Sequence, residues 1–453
     1  MTIAQDIEIV SCLVESDRFQ GRSYQIRSNI LEISVYEHID LPYLTAEMAV
    51  VDTAGMSNQE NEYGLSWRGT EKVKIRVKVP RSEEQRTVEK NFVVTDIART
   101  IPAADTAETL VLTLVEDIAY IDSLTTLSKA YSGKPETIIG QIMKDSFGRE
   151  VDVPETFRGS SGRPIRVVIP SISPLAACRW IKNMIVSETG MPFFLYSTLN
   201  GNNIFLTDLE YMLQKNPLNV GRDYVYGQLF TNFASTSSLE DQARIIESYS
   251  LAKSNDMLKL IKNGTMNSTY NFVDTTKEKD PRDIKTAVNM EDVMKTLVDR
   301  NILPQNQQQD VYDDKFTIRD KKFSEYTPSV ITKIATSNTF NDFANAYESE
   351  DIDYQKLRMV SRALRYYLLK TPLQFTMPGY NFLGKGQNIT IGNQVRTRFL
   401  KNDPDIVLEG NSAFDKNRSG DYLIYTCRHI MTTQKYDVVL TGTKLANLGR
   451  KRK

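Results

Sequence analysis

The sequence predicts an α+β, multi-domain protein, and three observations predict it. Period-2 alternation of apolar and polar residues marks strands towards both ends, across 30–115 and again across 371–444. Apolar stripes at helical spacing lie between them, at 135–147, 173–190 and 354–370. A chain of 453 residues is also too long for one hydrophobic core, so about two to four domains are expected.

The first β region runs from residue 1 to 117. Its opening stretch, Asn29 to Asp52, reads as two strands of an antiparallel barrel or sandwich. Ile30, Glu32, Ser34 and Tyr36 alternate with Leu31, Ile33, Val35 and Glu37. His38-Ile39-Asp40-Leu41-Pro42 breaks the run, because proline cannot donate to a ladder. Tyr43 to Val51 resumes as a second strand. Lys72–Val79 places Val73, Ile75, Val77 and Val79 on one face and Lys72, Lys74, Arg76 and Lys78 on the other. That basic face fits a polyanion contact or a solvated strand edge guarded by lysines. Lys90–Ile97 and Glu108–Val115 complete the region.

An α+β unit is expected over 118–240. Pro135–Phe147 carries Ile138, Ile139, Ile142 and Met143 on one stripe. In Ser173–Gly190, Ser173 suits the N-cap, Pro174 the first helical position and Gly190 the stop. Leu175, Cys178, Ile181, Met184 and Ile185 form its apolar face. Pro192–Ser197 and Asn203–Thr207 read as a hairpin around Asn200-Gly201-Asn202.

A second, discontinuous β region is expected over 241–276 and 355–446, interrupted by a mainly helical insertion at 277–354. The insertion is polar and weakly periodic, with the run Asn306–Gln309. Tyr354–Lys370 presents Leu357, Val360 and Leu364 on one stripe and Arg358, Arg362 and Arg365 on another. Those arginines suit a phosphate, carboxylates across a subunit interface, or solvent. Thr371–Met377, Gln387–Ile391, Gln394–Phe399, Tyr422–Met431 and Tyr436–Lys444 read as strands. Residues 447–453 form a basic tail.

Composition narrows the function. A net charge of -1 gives no bulk attraction to nucleic acid or an anionic membrane. Nowhere do about 18 apolar residues run uninterrupted, and the start of the sequence does not read as a secretory signal. Cys12, Cys178 and Cys427 are far apart and read as buried free thiols. Only His38 and His429 are available for metal or triad chemistry. Walker, zincin and nucleophile-elbow patterns are absent. Cys427 and His429 fall two apart on one strand, hence on one face, as a nucleophile–base pair or simply as packing. No catalytic, cofactor-binding or metal residue is assigned. A structural assembly protein, an enzyme such as a cell-wall hydrolase with an unmarked site, and a nucleic-acid binder using local basic strips compete.

A resemblance orders these readings. Leu41-Pro42-Tyr43-Leu44-Thr45 between two strands, the second ending Val50-Val51-Asp52, resembles the central baseplate hub protein of contractile-tailed bacteriophages. The helix and hairpin from Ser173 to Leu209 resemble that family's second domain. Pro378-Gly379, Gly384-Lys385-Gly386 and Ser419-Gly420-Asp421-Tyr422-Leu423-Ile424 followed by His429 resemble its second barrel. The resemblance implies two tail-tube-like antiparallel β-barrels, one contiguous and one split. It implies a homotrimer whose six barrels form a ring between a hexameric tail tube and a trimeric spike. Implied partners are the tail-tube protein, the central spike protein and other baseplate proteins, with DNA only in transit and no membrane insertion. The implied place is the virion tail, assembled in host cytoplasm, with no enzyme activity and no cofactor. Leu41, Pro42, Tyr43 and Leu44, with Arg358, Arg362 and Arg365, are the expected subunit or partner contacts.

Overall fold

The computed structural model describes residues 7–16, 23–53, 67, 69–78, 87–104, 107–154, 165–185, 187, 190–226, 244–251, 258, 268–273, 286–289, 317–322, 325–326, 329–334, 340–342, 361, 364–365, 372–379, 390–400, 414–415, 418–433 and 435–446. They form a mostly antiparallel β structure with few helices. Among them, no helix is long and apolar enough to cross a membrane.

The first β region holds β1 (Glu8–Glu15), β2 (Ser23–Gln25), β3 (Ile30–His38), β4 (Thr45–Thr53), β5 (Lys72–Lys78), β6 (Thr87–Ala104) and β7 (Ala107–Val115). Then come α1 (Asp117–Leu124), β8 (Ala130–Gly133), α2 (Pro135–Phe147), β9 (Val151–Asp152) and β10 (Ile165–Val168). They are followed by α3 (Pro174–Met184), β11 (Phe193–Ser197), β12 (Ile204–Asp208), α4 (Leu209–Gln214) and β13 (Tyr224–Tyr226). Beyond lie β14 (Ser248–Leu251), β15 (Ser268–Val273), β16 (Thr286–Asn289), β17 (Thr317–Ile318), β18 (Lys321–Lys322), β19 (Ser329–Ile334) and β20 (Phe340–Asp342). The last four are β21 (Pro372–Pro378), β22 (Gln394–Phe399), β23 (Gly420–Thr432) and β24 (Tyr436–Ala446).

Strands from both ends of the chain share one 13-stranded sheet, ordered β14-β21-β24-β23-β3-β4-β7-β6-β5-β1-β2, with β22 on β23 and β13 on β22. The seam is β3 against β23, antiparallel, with Thr426 opposite His38 and Thr432 opposite Glu32. On one edge β23 meets β24 along its length; on the other it meets β22 and then β3. Arg428 fastens the seam by donating to Ser34 Oγ at 3.1 Å and lying over the Tyr36 ring. In the C-terminal half, hydrogen bonds run from β22 to β13, then through Val225 and Ile246 to β14, and on to β21. In the N-terminal half, no pairing among the described residues joins β2 back to β3.

Local sequence explains many elements. In β5 the valines and isoleucine point inward and Lys72 and Arg76 outward, while Lys74 pairs with Glu89 at 2.8 Å. A register shift between Ile30 and Glu32 puts Ile30 inside and leaves Leu31 half exposed. Ile33, Val35 and Glu37 then share the buried face. The stripe of α2 is buried, and Gly148 ends the helix in the left-handed region at φ 64°. Ser173 caps α3 by accepting from Ala176 N. That helix stops at Met184, short of Gly190, because Ser187 turns the chain and its Oγ accepts from Met191 N at 2.7 Å.

One core follows the large sheet across the seam, and a second fills the α+β unit around α2 and α3. Each fully buried aliphatic side chain contributes roughly 1.5–3 kcal/mol. Gly379 leaves room for the fully buried Tyr436 ring, where a Cβ would collide with it.

In the insertion, expected to be mainly helical, the described residues include strands β16 to β20 and a turn at 319–320. The β-branched run Ser329–Ile334 pairs in parallel with β15, and β20 joins β10. Polar flanks hid these short strands from a periodicity reading. In Tyr354–Lys370 only Ser361, Leu364 and Arg365 are described, all helical; Arg358, Arg362, most of the 387–391 strand and the basic tail lie outside the described residues.

Candidate functional site

The excursion between β3 and β4 is built into the molecule. Ile39 N donates to Tyr425 O at 2.9 Å, Ser197 N to Leu41 O at 3.2 Å, and Leu44 N to Glu116 Oε2 at 2.7 Å. It is thereby tied to β23, to β11 and to the residue capping α1. Leu44 is fully buried in the sheet core, Pro42 is buried, and half-buried Tyr43 packs against the second core. The excursion therefore bridges two cores, and Leu41 and Tyr43 retain exposed surface. The sequence pattern marked the break in the strand without revealing what the excursion packs against.

Beside it lies an open cleft of about 370 Å³, lined by His38, Asp40, Leu41, Arg179, Lys182 and Arg365. Asp40 receives Lys182 Nζ at 2.5 Å and Arg365 Nη1 at 3.3 Å. Arg365 also donates to Phe193 O at 2.5 Å and covers the Phe194 ring. Burial raises the Asp40 carboxyl, but Lys182 and Arg365 outweigh it and hold the group below its ordinary value. Burial pushes the Lys182 ammonium down to about 8 against the pull of Asp40. Arg365, expected at a subunit or partner contact, is thus already paired within its own chain. With Arg179 on the wall, three cationic side chains meet one carboxylate among the described residues, an excess that suits a carboxylate brought by another molecule.

On the buried side of the seam runs a second polar cluster. Lys90 Nζ donates to Thr198 O at 3.1 Å and to Gly201 O, and lies 3.7 Å from Glu116 Oε1. Burial lowers the Lys90 ammonium while Glu116 opposes it. Glu37 Oε1 accepts from Leu199 N at 2.5 Å and lies 3.4 Å from His429 Nε2. His429 Nδ1 is 2.8 Å from the Tyr436 hydroxyl, and Cys427 Sγ is 3.2 Å from Nε2. Cys427 and His429 share a face, as their spacing predicts, but each is 1 % exposed. Burial, then Glu37, pushes the Cys427 thiol far up, which makes it a poor nucleophile. Sequence reading missed Glu37 and Lys90 here. Their signal was an acid in phase with Ile33 and Val35, and a lysine in phase with Phe92 and Val94.

No family model and no curated protein matches this chain. Solved structures do. The 43 kDa tail protein of prophage MuSo2 from Shewanella oneidensis is similar with a TM-score of 0.52 and 11% identity, over 96% of this chain and 97% of that one. The tail protein from Neisseria meningitidis MC58 is similar with a TM-score of 0.52 and 10% identity, over 97% of this chain and 96% of that one. At such identity the likeness is one of fold, and it spans both chains nearly end to end.

Proposed function

We propose that this chain is a structural subunit of a phage tail, the hub of its baseplate. The observation that carries the reading is the fold likeness to two phage tail proteins across nearly the whole of each chain. In the finer form of the proposal, three copies form a ring of six barrel-like units. Such a ring adapts a six-fold tail tube to a three-fold spike and lets DNA pass at ejection. The hydrogen-bonded circuit through β21, β24, β23, β22, β13 and β14 supports reading the C-terminal half as one barrel. The domain division at 1–117, 118–240 and 241–276 with 355–446, around the insertion at 277–354, belongs to the same proposal. So do the tail-tube, spike and baseplate partners and the virion location.

Leu41, Tyr43, Arg179 and Arg365 are the surface we assign to a neighbouring subunit or partner, with Pro42, Leu44 and the buried Lys182 supporting it from inside. Arg358 and Arg362 precede Arg365 on the same predicted helix and extend the proposed contact. The near-zero net charge suits a channel that releases DNA, because dense phosphate contacts would retain it.

The test is the solution mass of the full chain by light scattering over a concentration range. The expected species is a trimer of the 51.6 kDa chain, seen as a torus in negative stain. A chain that stays monomeric, and that forms no ring with tail-tube or spike protein of the same phage, overturns the hub reading.

A further inference from the structure

We propose that Glu37, Cys427 and His429 form a buried site for a divalent metal ion of the zinc class, placed where it clamps β3 to β23. Among the described residues these three bring a carboxylate oxygen, a thiol sulfur and an imidazole nitrogen within 4.8 Å of one another. Cys427 and Glu37 are direct partners in the antiparallel register, so the seam itself sets their spacing. His429 follows Cys427 at the same-face interval of a strand.

The distances lie close to those a metal imposes. Zinc bonds of about 2.3 Å to sulfur and about 2.0–2.2 Å to nitrogen and oxygen place tetrahedral ligands roughly 3.3–3.6 Å apart. Here Nε2 to Glu37 Oε1, at 3.4 Å, lies within that range, and Sγ to Nε2, at 3.2 Å, lies just below it. The other imidazole nitrogen is engaged by the buried Tyr436 hydroxyl at 2.8 Å, the outer contact that orients a ligating histidine.

A second, independent feature points to a ligand. Glu37 is 1 % exposed, its Oε1 is held by Leu199 N, and its Oε2 is buried with no hydrogen-bond partner among the described residues. A carboxylate oxygen left bare in a core is costly, because water has been removed and nothing replaces it. A cation held by this carboxylate offsets the charge that water no longer solvates. Lys90 is the nearby positive group, and Glu116 beside it offsets its charge. Mixed sulfur, nitrogen and oxygen donors favour zinc over magnesium or calcium. On binding, the Cys427 S–H bond is exchanged for a sulfur–metal bond and the proton leaves to solvent.

The experiment is a titration of chelator-stripped, full-length protein with cobalt(II), followed by zinc(II). One equivalent of cobalt should produce a thiolate-to-cobalt charge-transfer band that zinc abolishes, and zinc should raise the thermal midpoint. Cys427→Ser should lose the band, while Cys12→Ser and Cys178→Ser keep it. Glu37→Gln should weaken binding at least about ten-fold, and Tyr436→Phe about 10–100-fold with the band retained. Wild-type protein that gives no band and no midpoint shift overturns the proposal. So does a band that survives in folded Cys427→Ser. If Cys427→Ser does not fold, wild-type affinity in Glu37→Gln decides against the site.

Discussion

Glu37 and Asp40 stand three residues apart at the end of one strand, yet they sit in opposite electrostatic settings. Glu37 faces the core beside Lys90, Glu116 and His429, where side chains are at most a few per cent exposed. Asp40 opens on a cleft and is 38% exposed, while its partner Arg365 is 23% exposed and Lys182 is buried behind it. In the core each charge is held by backbone groups, Leu199 N for Glu37, Leu44 N for Glu116, and Thr198 O and Gly201 O for Lys90. In the cleft water shares the work. The buried row holds the sheet to the α+β unit, whereas the exposed edge of Asp40 leaves the cleft open to a further partner.

Mutations can break that contrast. Lys90→Met should cost the most, roughly 3–5 kcal/mol by denaturant unfolding, because Glu116 is left as an unpaired buried charge. A loss below about 1 kcal/mol would put the two clusters on equal terms. Adding Glu116→Gln to that variant should recover part of the loss.

A third buried carboxylate, Asp208, responds to pH. Burial pushes its carboxyl from 3.8 up to about 6, although it caps α4 by accepting from Tyr211 N at 2.7 Å. The folded chain therefore holds this proton more tightly than the unfolded chain does. Its contribution is most favourable below pH 3.8 and is lost as pH rises to about 6. Asp208→Asn keeps the cap and should stabilise the protein at pH 7 by up to about 3 kcal/mol. The wild-type-minus-mutant difference should vanish towards pH 4, and a difference independent of pH would contradict this assignment.

Arg365→Ala in the cleft should cost only about 1 kcal/mol, with a loss that shrinks in high salt. It should instead weaken the proposed subunit or partner contact, read as a shift in the assembly midpoint. The smallest effect belongs to Lys435→Ala. Its pairs with Glu247 and Asp437 are on the rim, with Lys435 53% exposed, so roughly 0.2–0.5 kcal/mol is expected.

How legible these features were depended on how local their causes are. The stripe of α2, the Ser173 cap and the alternation of β5 lie in a few consecutive residues, and each reads directly from sequence. The shortened α3 did not, because Ser187 bonding to Met191 outcompeted the helix beyond Met184. Strands β16 to β20 are short and polar-flanked, and β20 is fixed by pairing with β10 far upstream. The cleft needed Arg365 to meet Asp40 across 325 positions, which no spacing rule contains. Of the buried row, only the Cys427–His429 pair was visible, since strand parity places it and nothing local adds Glu37.

The seam also sets a clock for folding. Arg428 and Ser34, which meet across it, are 394 positions apart in the chain. At a synthesis rate of about 5–20 residues per second, β3 emerges tens of seconds before its partner exists. Through that interval one edge of β3 is a row of unpaired backbone donors and acceptors, open to the wrong strand. Final closure of the sheet is a long-range, late event, and such topologies fold slowly. The nascent N-terminal half therefore depends on being kept apart from its neighbours on the polysome until β23 arrives to cover that edge.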